Sequence, residues 1–119
     1  MKQLKTYKVL NKLEKALLIR CRDAIRNIDP SAEVILYGSR ARGDAESESD
    51  YDLLILTDGE ANLEKENIFL DQLFPIELET GAVLTFILTS RKNWSSSLYE
   101  AMPLYQNIRK EGVVLWKES

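Results

Sequence analysis

Leu10, Leu13, Leu17, Cys21, Ala24 and Ile28 recur at spacings of three and four, an apolar stripe that predicts an amphipathic helix from about Lys5 to Ile28. Asp29-Pro30 ends it, because the residue before a proline is pushed out of the helical region. Ala32 to Tyr37 is a short run rich in Val, Ile and Leu, the pattern of a buried strand. Gly38 to Ser49 is charged and almost without apolar residues, which predicts a loop with at most one helical turn. Tyr51 to Thr57 is a second strand, closed by Asp58-Gly59. Leu63, Ile68, Leu70, Leu73 and Ile76 then carry helical spacing from Asn62 to about Glu79, with Pro75 expected to interrupt it. Gly81 precedes a third strand, Val83 to Thr89. Ser90 or Ser95 can cap helical material running to Glu111, broken near Pro103, and Gly112 admits a last strand, Val113 to Trp116. The order predicts a single α/β (α+β) domain over residues 1–119, a small mixed sheet of about four strands flanked by helices. There is no internal repeat or low-complexity tract.

At 119 residues the chain has room for one core and one site, with a partner able to complete that site. It contains no histidine, which removes Ser-His-Asp and Cys-His nucleophiles, imidazole acid–base chemistry and His-ligated zinc. Cys21 is the single cysteine, so neither an internal disulfide nor a cysteine-zinc cluster can form, and its place on the apolar stripe marks it as core. The polar opening Met1 to Lys8 lacks the apolar run of a leader, and no stretch approaches the roughly 20 apolar residues of a membrane span. A cytoplasmic protein without membrane contact is expected.

Charge is segregated along the chain. Residues 1–28 hold eight basic side chains against two acidic ones, the pattern of a solvated helix face; direct nucleic-acid binding is not expected of a chain that is acidic overall. Residues 44–80 hold twelve acids against Lys65 alone, a field that calls for cations or a basic partner surface.

The chemistry concentrates in 36–56. Gly38 follows a strand and opens a turn, so free backbone N–H groups and the Ser39 hydroxyl can cradle phosphate oxygens, and Gly38 has no side chain to block the approach. Asp50 and Asp52 are two apart on a predicted strand, which points both carboxylates to one face with Cα atoms about 6 to 7 Å apart. Like charges so placed on an apolar strand repel unless a cation sits between them. Hard carboxylate oxygens suit Mg²⁺, and a pair can clamp ions that stabilise the attacking and leaving oxygens of a phosphoryl displacement. Arg40 and Arg42 either hold a triphosphate or neutralise the acidic loop.

Gly38-Ser39, ten residues, then Asp50-Tyr51-Asp52 resembles the signature of the DNA polymerase beta-like nucleotidyltransferase superfamily. The wording Gly-Ser-Arg-Ala-Arg-Gly is similar to its minimal nucleotidyltransferase branch, and Met102 to Leu115 looks like the closing helix and strand of these small proteins. The resemblance implies transfer of a nucleoside monophosphate, most often AMP, from a nucleoside triphosphate to an acceptor hydroxyl with release of pyrophosphate. Gly38 and Ser39 would hold the β and γ phosphates, with Arg40 and Arg42 as further candidates, and Asp50 and Asp52 would hold Mg²⁺. The family usually adds a third carboxylate on a neighbouring strand. Val83 to Thr89 contains none, Thr85 being its nearest polar residue, while Glu77 and Glu79 precede it. Minimal members resemble the antitoxin half of two-gene systems whose partner is a helical HEPN-domain ribonuclease toxin, which implies adenylylation of the partner's tyrosine or its occlusion. The alternatives are a catalytically impaired nucleotide-binding or interaction module, and a small-molecule transferase acting as a homodimer, its interface lined by Trp94, Tyr99, Tyr105 and Trp116.

Overall fold

The computed structural model describes residues 1–116. In chain order the elements are β1 (Lys2–Gln3), a 3-10 turn (Leu4–Thr6), α1 (Lys12–Ile28), β2 (Glu33–Tyr37), α2 (Ser39–Arg42), β3 (Tyr51–Thr57), α3 (Leu63–Thr80), β4 (Leu84–Ser90), α4 (Arg91–Trp94), α5 (Ser97–Glu100), α6 (Pro103–Glu111) and β5 (Val113–Trp116). The strands form one mixed sheet in the order β1-β5-β2-β3-β4. β2 is antiparallel to both β3 and β5, whereas β4 lies parallel to β3 after the α3 crossover, as a parallel pair requires. The expected α/β architecture is present with one more strand than anticipated, the two-residue β1 added beside β5.

Two apolar layers sandwich the sheet. Leu17, Leu18, Cys21 and Ile25 of α1 and Phe69, Leu73 and Ile76 of α3 pack on Val34, Leu36, Leu53 and Ile55. Ile108 of α6 covers the other face with Ile35, Leu54, Leu56 and Val114. Burial on both faces explains why β2 and β3 are continuous apolar runs instead of alternating ones. Burial also pushes the Cys21 thiol up to about 12.

Three expectations are corrected. The first helix begins at Lys12, not near Lys5: the Asn11 side chain accepts the Glu14 N–H at 2.8 Å and the Glu14 carboxylate accepts the Asn11 N–H at 3.0 Å, a reciprocal cap that fixes the start. Leu10 is therefore buried ahead of the helix, and Leu13, placed on the stripe by spacing, is 82% exposed. Pro75 does not interrupt α3, which runs unbroken to Thr80. Both Pro75 and Asp71, whose carbonyl loses its helical donor, are exposed, so water can hydrate that carbonyl, while buried Leu73 and Ile76 hold the helix on either side. Finally, Ser96 takes the capping place considered for Ser95, whereas the Ser90 cap and the break near Pro103 are present as expected, Pro103 starting α6 at its first position, where a missing N–H costs nothing.

The outer flank of α3 leaves Leu63, Leu70, Phe74 and Leu78 exposed among Glu64, Asp71 and Glu79.

Candidate functional site

β2 delivers the chain to Gly38, which has φ +79°, a left-handed conformation that glycine adopts without a Cβ clash. The conformation turns the backbone from strand into the single helical turn of α2, where the Gly38 carbonyl accepts the Ala41 and Arg42 N–H groups at 3.0 Å each. Gly43, at φ +87°, closes the turn and returns its N–H to the Ser39 carbonyl at 3.0 Å. The Ser39 hydroxyl has no partner among the described residues.

β3 brings the acids. Its register pairs Asp52 with Tyr37 on one side and with Thr85 on the other. A Cβ added to Gly38 would stand 2.3 Å from Asp52 Oδ2, so the Asp52 carboxylate occupies the space that a side chain on residue 38 would need. The other carboxylate oxygen, Oδ1, accepts the Thr85 hydroxyl at 2.7 Å. Asp50 lies exposed just before the strand, two positions from Asp52. Asp52, Tyr37 and Thr85 are register neighbours on the face covered by α6, opposite the α1 and α3 layer. The fold thus gathers Gly38, Ser39 and Asp52 at one end of the sheet, with Asp50 at its rim.

The arginines have other partners in this structure. Arg40 donates to the Ser49 carbonyl at 2.9 and 3.1 Å and to the Ser47 carbonyl at 3.0 Å, and it lies 3.4 Å from Glu14. Its guanidinium also stacks over the Tyr51 ring at 4.4 Å. Through these bonds Arg40 fastens the 44–49 loop that leads into Asp50. Arg42 bridges Asp44 and Glu111, each at 3.0 Å, and the hydrogen bonds it donates to these two carboxylates hold its pKa above the ordinary value.

Two members of the site went unrecognised in the sequence. Glu111 accepts the Gly38 N–H at 3.1 Å. Tyr37 is half-buried, and burial followed by the Asp52 charge pushes its phenol above the ordinary value. Tyr37 adjoins Gly38 in the chain, but β-sheet register, which local spacing does not reveal, sets it beside Asp52 and brings Glu111 to Gly38.

Among the described residues the acids near β4 do not supply the third carboxylate. Glu77 accepts the Leu84 N–H at 3.0 Å and Glu79 pairs with Arg20 at 2.6 Å, so both are engaged elsewhere. Among the described residues no group of three acids could hold a metal ion. The aromatics considered for a dimer interface are packed within the chain: Trp94 lies against Tyr105 with ring centroids 4.6 Å apart and edge-on to Tyr99, and Trp116 stacks 3.7 Å beneath Arg26.

A glycine turn at a strand end, packed on an aspartate of the neighbouring strand, is the arrangement anticipated for a nucleotide-transferring fold, and residues 18–104 match the family model for the nucleotidyltransferase domain. The chain belongs to that family. This nucleotidyltransferase domain matches no curated protein. Its fold is that of several solved structures. A toxin–antitoxin crystallised with AMP-PNP aligns at a TM-score of 0.60 and 17% identity, covering 86% of this chain and 74% of the other. A toxin–antitoxin, MntA–HpeT, carrying two Asp-to-Glu substitutions aligns at 0.59 and 16% identity with the same coverage, 86% and 74%. A candidate nucleotidyltransferase from Sulfolobus solfataricus aligns at 0.54 and 22% identity, covering 87% and 79%. Among the described residues no helix of the domain is long and apolar enough to cross a membrane.

Proposed function

We propose that this nucleotidyltransferase domain binds a nucleoside triphosphate with Mg²⁺ and transfers its nucleoside monophosphate, AMP when ATP is the donor, to a hydroxyl on a partner protein in the cytoplasm. The observation that carries the reading is the contact of Gly38 with Asp52, which sets a side-chain-free phosphate turn against a carboxylate. Asp50 and Asp52 would hold the metal. Two carboxylates supplemented by substrate phosphates and water are an ordinary donor set for Mg²⁺, so the lack of a third acid does not argue against binding. When bound, the ion neutralises phosphate charge and polarises the phosphorus centre. Gly38 leaves the turn open to the β and γ phosphates by having no side chain, and Ser39 orients them through its backbone N–H and hydroxyl donors. The acceptor oxygen then forms a bond to the α-phosphorus as the bond to pyrophosphate breaks, and the acceptor's proton passes to a base that the partner supplies, since the register neighbour of Asp52 on β4 is Thr85 and not an acid.

Two features support a protein acceptor. Leu63, Leu70, Phe74 and Leu78 expose an apolar stripe among acids, the surface of a chain that docks a partner with basic flanks. The structural relatives include toxin–antitoxin proteins, in keeping with an antitoxin acting on a helical HEPN-type toxin. Incubation of the domain with its co-purifying helical partner and α-labelled ATP should label the partner in the presence of Mg²⁺. Equal labelling by Asp52→Asn would refute the assignment.

A second reading is favoured by Thr85. It occupies the register position beside Asp52 where a third acid would stand, and its hydroxyl ties down one Asp52 oxygen. Under this reading the domain binds nucleotide and masks its partner without transferring to it, and Mg–ATP binding without labelling of any partner identifies it.

A further inference from the structure

α2 is one turn long, and its N-cap, Gly38, has no side chain to fold back over it. In a longer helix the N-cap N–H is often accepted by a Glu or Gln three residues on; here that residue is Ala41. Glu111 supplies the missing carboxylate from the far end of the chain. Its Oε1 accepts the Gly38 N–H at 3.1 Å and its Oε2 accepts an Arg42 N–H at 3.0 Å, so one side chain grips both ends of the turn. The side chain is only 16% exposed, and a carboxylate so withdrawn from water needs both donors.

The placement is a consequence of register. β2 and β5 pair Ile35 with Val114 and Leu36 with Val113, and continuing that antiparallel ladder by two residues sets Gly38 opposite Glu111. Gly112 makes the approach possible, because a Cβ there would fall 2.5 Å from the Ile108 carbonyl oxygen and 2.9 Å from Ile35 Cγ2. Helix α6 can therefore end against β2 with Glu111 as its last residue.

We infer that Glu111 is a positioning residue for the phosphate-binding turn. It holds Gly38 and Arg42 so that the Ser39 hydroxyl faces the phosphates without having to be ordered by them. The inference rests on the nucleotide-binding reading above. An N-cap N–H that donates to a capping carboxylate points along the flank of its helix, so Glu111 braces the turn and does not sit in a phosphate's place. The preorganised turn saves the ligand the cost of fixing it.

The test compares wild type, Glu111→Gln and Glu111→Ala in calorimetric titrations with Mg–ATP and with Mg–pyrophosphate. Thermal unfolding and Gly38 amide exchange by NMR are followed in parallel. Glu111→Ala should weaken both ligands by a similar factor of about ten. Glu111→Gln should fall between, since its amide oxygen still accepts the Gly38 N–H while the ion pair to Arg42 is gone. Gly38 exchange should quicken in the order wild type, Gln, Ala. Affinities unchanged in folded variants overturn the inference and leave the nucleotide reading intact. Tighter binding by either variant also overturns it, because Glu111 would then be a competitor of phosphate. A wild type that fails to bind Mg–ATP sinks the nucleotide reading and the inference with it.

Discussion

Gly38 and Asp52 are packed so closely that a methyl group on the glycine would lie 2.3 Å from the carboxylate oxygen Oδ2. The two residues sit at the joined ends of adjacent strands, and Asp52 is the register partner of Tyr37, the residue before the glycine. A side chain added at position 38 would have to displace the Asp52 carboxylate.

Gly38→Ala therefore suffers twice, through a positive φ that alanine resists and through the clash with Asp52. We expect a loss of about 2 kcal/mol or more in denaturant unfolding. Mg–ATP affinity should fall by a larger factor than in a surface Gly→Ala control such as Gly81→Ala, whose added Cβ would meet nothing within 4 Å despite its own positive φ of +74°.

Thr85 stands exposed beside Asp52 on the parallel strand β4. Thr85→Asp places a carboxylate at the register position where the superfamily's third acid is expected. Transfer of label to the partner should rise at least about tenfold, within the range that a general base contributes. No gain, with nucleotide binding retained, would place the missing base on the partner.

Arg40 ties Ser47 and Ser49 to α2 and to Glu14. Removing it in Arg40→Ala frees the acidic loop from its internal cation. Amide exchange should accelerate across 44–49, and stability should fall by about 2 kcal/mol. Arg40→Lys should recover only part of the loss, because an ammonium cannot span two carbonyls and an aromatic face as a planar fork does.

Asp29 lies at the opposite end of the sheet from the site. Burial alone would raise its pKa, but the hydrogen bonds from Lys65, Ser31 and Thr57 outweigh burial and hold the carboxyl well below the usual carboxylate range. A depressed native pKa means that the unfolded chain takes up the proton first. The stabilisation is whole above the unfolded value of 3.8 and declines as pH falls below it toward the native value. Asp29→Asn should cost about 2 kcal/mol near neutral pH, and the gap to wild type should close as the solution is acidified below about pH 4. A gap that stays constant down to about pH 2 would contradict the assignment.

Much of the fold and half of the site were legible from local pattern. Strands β2 and β3 announced themselves because both faces are covered, and Gly38-Ser39 with Asp50 and Asp52 was legible because a strand's period of two and a glycine turn are short-range rules. The start of α1 was also written locally, in the Asn11 to Glu14 cap, but the apolar spacing of Leu10 and Leu13 masked it. Pro75 misled because the rule against proline in helices assumes a carbonyl with no other donor, whereas the Asp71 side of α3 faces water. Glu111 lies 73 residues from Gly38 and reaches it only through the β2 and β5 register, including a bulge between Val34 and Ile35 that shifts the ladder. No local pattern encodes that meeting. Arg40 was legible as a cation, but its partners are carbonyl oxygens of Ser47 and Ser49, and backbone acceptors have no sequence signature.

Gly38, Ser39, Asp50 and Asp52 are proposed to form one metal-dependent nucleotide site. Calorimetric titration of ATP into the purified domain, with and without Mg²⁺, tests it without knowledge of the acceptor. Binding should require Mg²⁺ and be abolished by Asp50→Asn and by Asp52→Asn while both variants stay folded. Metal-independent binding, or binding that survives both substitutions, would contradict it.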